Sequence, residues 1–222
     1  MNERIIRILI ESFPKILIPG LKMTIPLTIL AFSFGLVIAV ITALIQYAEI
    51  PVLKSIARIY IWIIRGTPLL VQLFVFFYGL PSLGIITEPF PTAVLVFAFN
   101  EGAYAAETIR AALEAVPHGQ LEAGYCVGMS WNRTVRRIIL PQAFRTAIPT
   151  LGNELISMVK DTSLAANITV MEMFMTTQRI NAIYYEPLAL YVEVGLIYLI
   201  FSTVLSRVQR VVEKKLASYG KR

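Results

Sequence analysis

Apolar positions along this chain come in long blocks separated by short polar breaks. Met23 to Ala48 contains no charged residue, and neither does Gly66 to Thr87. Each block exceeds the roughly 20 apolar residues that a membrane-crossing helix needs. The same pattern, followed to the C-terminus, predicts five spans at about 21–47, 56–80, 92–115, 148–171 and 188–208. Pro26 stands near the start of the first span, where it is tolerated, and Gly66-Thr67-Pro68 predicts a kink in the second. Residues 81–91 and 178–187 read as loops, and 116–147 is the longest polar segment. Ahead of the first span, Ile5, Ile6, Leu9, Ile10 and Phe13 recur at helical spacing among Glu3, Arg4, Arg7 and Glu11. That pattern predicts an amphipathic helix lying in the membrane interface. The expected organisation is an N-terminal segment 1–20, one transmembrane domain 21–208 containing the loop 116–147, and a basic tail 209–222. The expected fold class is an all-α integral membrane protein.

Composition supports lipid as the second destination for apolar side chains. Of 222 residues, 57% are hydrophobic and 15% charged, against about 45–50% and 25% in soluble domains. The first apolar run begins near Leu21 and is too long for the core of a cleavable signal. Cys126 is the only cysteine and His118 the only histidine. A disulfide framework, a cysteine metal site and a multi-histidine metal site within one chain are thereby excluded. The net charge of +6 gathers at the ends of apolar runs, as membrane orientation demands, and not on a soluble basic face that nucleic acid would need. With the C-terminus inside, 13 basic residues fall on the internal side and 5 on the external side. The expectation is therefore an external N-terminus, with the loop 116–147 and the tail in the cytoplasm.

The loop holds the most specific motif. Glu122-Ala123-Gly124 is followed by three residues, Gly128, nine residues, and Ile138-Ile139-Leu140-Pro141. A short helix starting near Gly119 would present Leu121, Tyr125 and Val127 or Met129 to a partner. Gly128 would let the chain turn sharply after it, and Trp131 with Arg133, Arg136 and Arg137 would return to the anionic membrane surface. The pattern resembles the loop signature of ABC importer permeases, with Gly124 where a second alanine is usual. Arg65-Gly66-Thr67-Pro68-Leu69-Leu70-Val71-Gln72, Gly102-Ala103-Tyr104-Ala105-Ala106-Glu107 and Lys160-Asp161-Thr162-Ser163-Leu164 are similar to motifs of the polar amino-acid uptake permeases. The resemblance runs from about Leu21 to Lys215. It implies the type I importer fold and a subunit for uptake of histidine, glutamine, glutamate, arginine or related amino acids. It also implies a second permease subunit, the same or closely related, two ATPase subunits and an extracellular solute-binding protein, in a bacterial or archaeal cell membrane. The segment His118, Gly119, Gln120, Leu121, Glu122, Ala123, Gly124, Tyr125 and Gly128 would then contact the ATPase. No phosphate-binding Gly-x-x-x-x-Gly-Lys pattern occurs, so ATP and magnesium are expected on that partner and no cofactor on this chain. No catalytic residues and no metal ligands are expected.

Charged side chains within a span usually face a bundle interior or an aqueous cavity. The expected substrate path is lined by Glu101 of span three and by Asn153, Glu154, Ser157, Lys160 and Asp161 of span four, read as one polar side of the helix. Arg65 and Glu101 lie at comparable depth, about 15 Å along their helices, so either an Arg65–Glu101 ion pair or direct substrate contact is open. Acidic residues outnumber the single Lys160, which tilts the expectation toward a cationic substrate such as arginine, lysine or histidine. Two other classes compete. An ion-coupled secondary transporter would use Glu101, Glu154 and Asp161 as ion sites, although five spans do not divide into equal repeats. A membrane-embedded enzyme would need a clustered acid–base constellation, which the chain does not show.

Overall fold

The computed structural model describes residues 3–219, and side chains as far as residue 216. The first two residues of the N-terminal segment and the last three of the basic tail lie outside the described residues. Every regular element among the described residues is helical.

Helices α1 (Glu3–Pro19) and α2 (Ile25–Tyr47) are joined by a π turn at Gly20–Thr24 into one 45-residue helix. At 1.5 Å per residue it is about 67 Å long, more than twice the hydrocarbon thickness of a bilayer. The expected interfacial helix is therefore the first part of this rod, nearly five turns. Its Ile8, Ser12 and Ile16 are buried, and α1 packs on α9 (Met173–Tyr184) and α10 (Pro187–Tyr219). Ser12 Oγ donates to Glu193 Oε2 across that contact, so a polar pin joins two otherwise apolar faces. Ile10 and Phe13 stay exposed along an apolar groove beside α10, with Val192, Leu196 and Ile200.

The α2–α5 contact is the most extensive in the molecule, with α5 spanning Pro89–Glu114. Small residues make it possible. Ala31, Gly35, Ala39 and Ala43 recur every fourth residue along the buried face of α2. They meet the face of α5 that carries Ala98, Gly102, Ala105 and Ala106, all four of them buried. Without hydrophobic driving force inside lipid, helices associate through such close backbone approach. A Cβ on Gly102 would stand 2.7 Å from Ile38 Cγ2 and 2.8 Å from Tyr60 Oη.

The second span is broken. Helix α3 (Pro51–Gly66) ends at the expected kink, Thr67 and Pro68 are extended, and the chain resumes as α4 (Leu69–Phe74) and short turns to Leu83, bent by 102°. By length and apolarity alone, Glu3–Tyr47 and Pro187–Leu216 can cross a membrane, and the bent pair can serve as a third. Helices α5 and α8 (Leu140–Asp161) have 26 and 22 residues but carry the charged side chains of the candidate site.

Other boundaries move. Helix α8 starts inside the expected loop, continuing without a break from the helical turn at Trp131–Thr134 and a π turn at Val135–Ile139. It passes into a 3-10 segment at Thr162–Ile168 before the expected end of the span. Most of the loop expected at 178–187 is α9, whose first turn is capped by the buried Glu172 carboxylate accepting from Met175 N at 2.6 Å. The tail is a continuation of α10 as far as it is described.

Candidate functional site

Helices α2, α5 and α8 bring together two of the expected carboxylates. Glu101 on α5 is 8% exposed, and its Cβ lies where α2 offers only Gly35; a Cβ there would come within 2.9 Å of it. Glu154 on α8 accepts from Thr108 Oγ1 of α5 at 2.8 Å. Glu101 and Glu154 lie near one another between α5 and α8. Glu101 Oε1 and Glu154 Oε2 are both buried with no hydrogen-bond partner. Groups of this kind inside a span face a bundle interior or an aqueous cavity rather than lipid.

The single polar stripe expected on α8 divides in two. Residues seven apart nearly eclipse on a helix, while neighbours are about 100° apart. Glu154 and Asp161 therefore share one face, and Asn153 and Lys160 share another. Asn153 Oδ1 accepts from Gln209 Nε2 of α10 at 3.2 Å, so this side chain holds two helices together. Gln209 Nε2 also donates to Pro149 O at 3.0 Å, and Gly152 leaves the space it occupies. Lys160 lines a separate cavity with Ser163, Phe174, Tyr191 and Tyr198. Ser157 is exposed between the two faces and makes no hydrogen bond among the described residues.

The proposed Arg65–Glu101 ion pair does not form. Arg65 Nη1 lies 3.9 Å from Glu107 Oε2, and its guanidinium stands 5.1 Å from the centre of the Tyr104 ring. Glu107 is six residues beyond Glu101, about 9 Å further along α5. It also accepts from Arg110 at 2.9 Å and from Gln46 at 3.3 Å. Arg65, Tyr104, Glu107 and Arg110 thus form a charge network one and a half turns from the unpaired carboxylates.

Two residues outside the expected site support it. Thr108 orients Glu154, as described. Gln72 stitches the break in the second span: its Nε2 reaches Ile64 O at 2.8 Å, Thr67 O at 3.1 Å and Thr67 Oγ1 at 2.9 Å. Its Oε1 accepts from Asn100 Nδ2 of α5 at 3.1 Å. The signal in the sequence was a lone amide four residues after a Gly-Thr-Pro break, where carbonyls lose their helical donors.

The segment after α5 forms a compact helical corner. Helix α6 (Gly119–Cys126) ends with Met129 N bonded to Gly124 O at 3.0 Å and Gly128 N to Tyr125 O at 2.9 Å. Gly128 has φ +75°, the left-handed conformation that glycine adopts at least cost. His118, Gly119, Gln120, Glu122, Ala123 and Tyr125 are exposed, and Val127 is 76% exposed. Leu121 differs from expectation: it is half-buried and turned toward a cavity it shares with Trp131. Gly124 is buried against Thr134 of α7 (Trp131–Thr134), and a Cβ there would lie 2.5 Å from Thr134 Cγ2. The departure from alanine in the loop signature is thus what allows α6 to rest on α7.

Comparison with known proteins agrees with this architecture. Residues 35–218 match the family model described as binding-protein-dependent transport system inner membrane component. The chain is 49% identical over 210 residues to the L-cystine transport system permease protein TcyB of Bacillus subtilis (strain 168), covering 94% of this chain and 90% of that protein. It is 38% identical over 218 residues to the nopaline transport system permease protein NocM of Agrobacterium fabrum, with the same coverage of 94% and 90%. A crystal structure of an amino acid ABC transporter with histidines superposes with a TM-score of 0.88 at 33% identity, covering 97% of this chain and 100% of that one. The ion-coupled reading finds no support among these relatives, and ATP hydrolysis in such systems belongs to a separate subunit. The chain belongs to the binding-protein-dependent transport system inner membrane components, as a permease subunit of an amino-acid ABC importer with the all-α type I fold.

Proposed function

We propose that this permease carries a polar amino acid with a positive group beyond its α-zwitterion, and that Glu101 and Glu154 receive that group. The observation that carries the reading is the facing pair of carboxyls on α5 and α8, each with a buried oxygen lacking a donor. Arginine, lysine and histidine fit by their side chains. Cystine, named for one relative, brings a second ammonium group. Asp161, on the face of Glu154, extends the negative path. Alternating access exposes this path to each side in turn. Ser157 lies at its edge, while Asn153 and Lys160 serve packing and a neighbouring cavity.

The rest of the machine follows the family. Five membrane crossings, an external N-terminus and a cytoplasmic C-terminus place α6 on the cytoplasmic side. There His118–Tyr125 and Gly128 dock on an ATPase subunit, which holds ATP and magnesium. A second permease subunit and an external solute-binding protein complete the assembly. The exposed Tyr125 and Val127, apolar groups in an otherwise polar corner, support the docking face. The test is ATP hydrolysis by the complete transporter, reconstituted with its binding protein, as each amino acid is added. Arginine, histidine or cystine should stimulate hydrolysis above glutamine. Stimulation by glutamine or glutamate alone would refute the assignment of substrate class.

A further inference from the structure

A second polar cavity lies behind α6, its nearest lining residue on α5, Glu107, about 9 Å along the helix from Glu101. Its volume is about 650 Å³, within the range of about 300–1,000 Å³ typical of ligand sites. It opens where the ends of α2 and α5 and the start of α3 meet α6 and α7. His118 and Leu121 of the segment assigned to ATPase contact form part of its wall, and the transport reading gives the cavity itself no ligand.

The lining is graded along α3. Lys54, Arg58, Ile61 and Trp62 all face the cavity, at spacings of four, three and one that keep them on one side of the helix. The basic end lies beside the loop at Glu49, and the apolar end lies about 12 Å further along, where Trp62 is 75% exposed. Across the opening, the Tyr47 and Trp131 rings lie with centres 6.4 Å apart, tilted by 32°. Aromatic rings of this kind mark the level of the membrane–water interface.

Charge decides what such a cavity attracts. Lys54 Nζ is bonded to Glu49 Oε1 at 2.7 Å, and that bond holds the Glu49 carboxyl below its ordinary range. Arg110 is held by both Glu107 and Glu114, at 2.9 and 2.7 Å. Arg65 Nη1 adds a third cation 3.9 Å from Glu107, so the three carboxylates of the lining are answered by Lys54, Arg110 and Arg65. Arg58 makes no ion pair or hydrogen bond among the described residues and reaches Glu49 only through its longer-range field. His118, the exposed residue that opens α6, lines the same space. One uncommitted guanidinium at the mouth and hydrocarbon at the floor match a phosphate carrying acyl chains.

We propose that this cavity binds the phosphate of an anionic phospholipid headgroup on Arg58, with the acyl chains running past Ile61 and Trp62. Because His118 and Leu121 of α6 form its far wall, the lipid seats directly behind the segment assigned to ATPase contact. The site is independent of which amino acid the transporter carries.

The chain supplies its own probe. Trp62 and Trp131 are its only tryptophans, and both line the cavity. The complete transporter is reconstituted in bilayers in which either phosphatidylglycerol or phosphatidylcholine, at equal mole fraction, carries brominated acyl chains. Bromine quenches tryptophan within a short range. Subtracting the signal of the Trp62→Phe complex isolates Trp62 from any tryptophan of the other subunits. Brominated phosphatidylglycerol should occupy the site with about a fivefold preference, the factor given by about 1 kcal/mol for one basic side chain near the membrane surface. Arg58→Gln should abolish the preference, Arg58→Lys should retain it, and added inorganic phosphate should leave the quenching unchanged. Neither variant removes a bond that the fold uses. Equal quenching by the two lipids, or a preference that survives Arg58→Gln, would overturn the proposal. Relief of quenching by inorganic phosphate would show a free-anion site and overturn it equally.

Discussion

Gly124 shows how far a single position can be read from sequence. Seen in the chain alone, it departs from the usual alanine and weakens a short helix by about 1 kcal/mol. In three dimensions its missing Cβ is the space that Thr134 fills, with Cγ2 at 2.5 Å and Oγ1 at 2.6 Å from where that atom would be. Gly124→Ala should therefore tilt α6 away from α7 and lower uptake per ATP hydrolysed, although alanine is the better helix former. Thr134→Ala removes both clashing atoms and should restore coupling to the Gly124→Ala chain. Transport and hydrolysis measured together in vesicles check this, and full coupling in Gly124→Ala alone would exclude the packing account. Other residue-level readings divided according to what carries them. That Glu101 and Glu154 turn away from lipid was legible because a carboxylate inside a span has few destinations. The partner of Arg65 was not, since Glu101 and Glu107 lie on adjoining faces of the same helix and only the position of α3 chooses between them.

At the scale of elements, the apolar blocks located the long helices, and the Gly-Thr-Pro sequence located the 102° break after α3. Boundaries failed where a polar residue inside a helix looked like a loop. Residues 178–184 carry Gln178, Arg179 and Asn181, yet they are helical because Glu172 caps the turn before them and Met173 and Ile180 pack under α1 and α10. The N-terminal segment failed differently. Its amphipathic period was correct, but the apolar side meets α9 and α10 as well as its own exposed surroundings, and a π turn at Gly20–Thr24 joins it to α2. Gly20 sits at that junction, where a Cβ would lie 2.6 Å from Met173 Sδ. Tertiary contact of this kind leaves no periodic trace. The same holds for α8, where a 100° step separates Glu154 and Asp161 from Asn153 and Lys160, and only the neighbours decide what each face does.

For the whole molecule, orientation and substrate path are the two open quantities. The excess of basic residues around α6 and after Arg207 favours a cytoplasmic location for both. In a Cys126→Ser chain, a membrane-impermeant thiol reagent applied from outside should label Ser82→Cys and leave Ser218→Cys untouched. The reverse pattern would invert the topology. The proposed path runs where α2, α5 and α8 meet, since Gly35 and Thr108 admit and orient two carboxylates that lipid would not accept. The most direct measurement is ATP-driven uptake of arginine, histidine, cystine and glutamine by vesicles containing the wild-type, Glu101→Gln or Glu154→Gln transporter, normalised to folded protein. Loss of a charged hydrogen bond costs roughly 1.5–3 kcal/mol, so each substitution should reduce the preference for the best cationic substrate over glutamine by about tenfold or more. An unchanged ranking in both variants, at undiminished folded protein, would contradict the role given to the carboxylate pair.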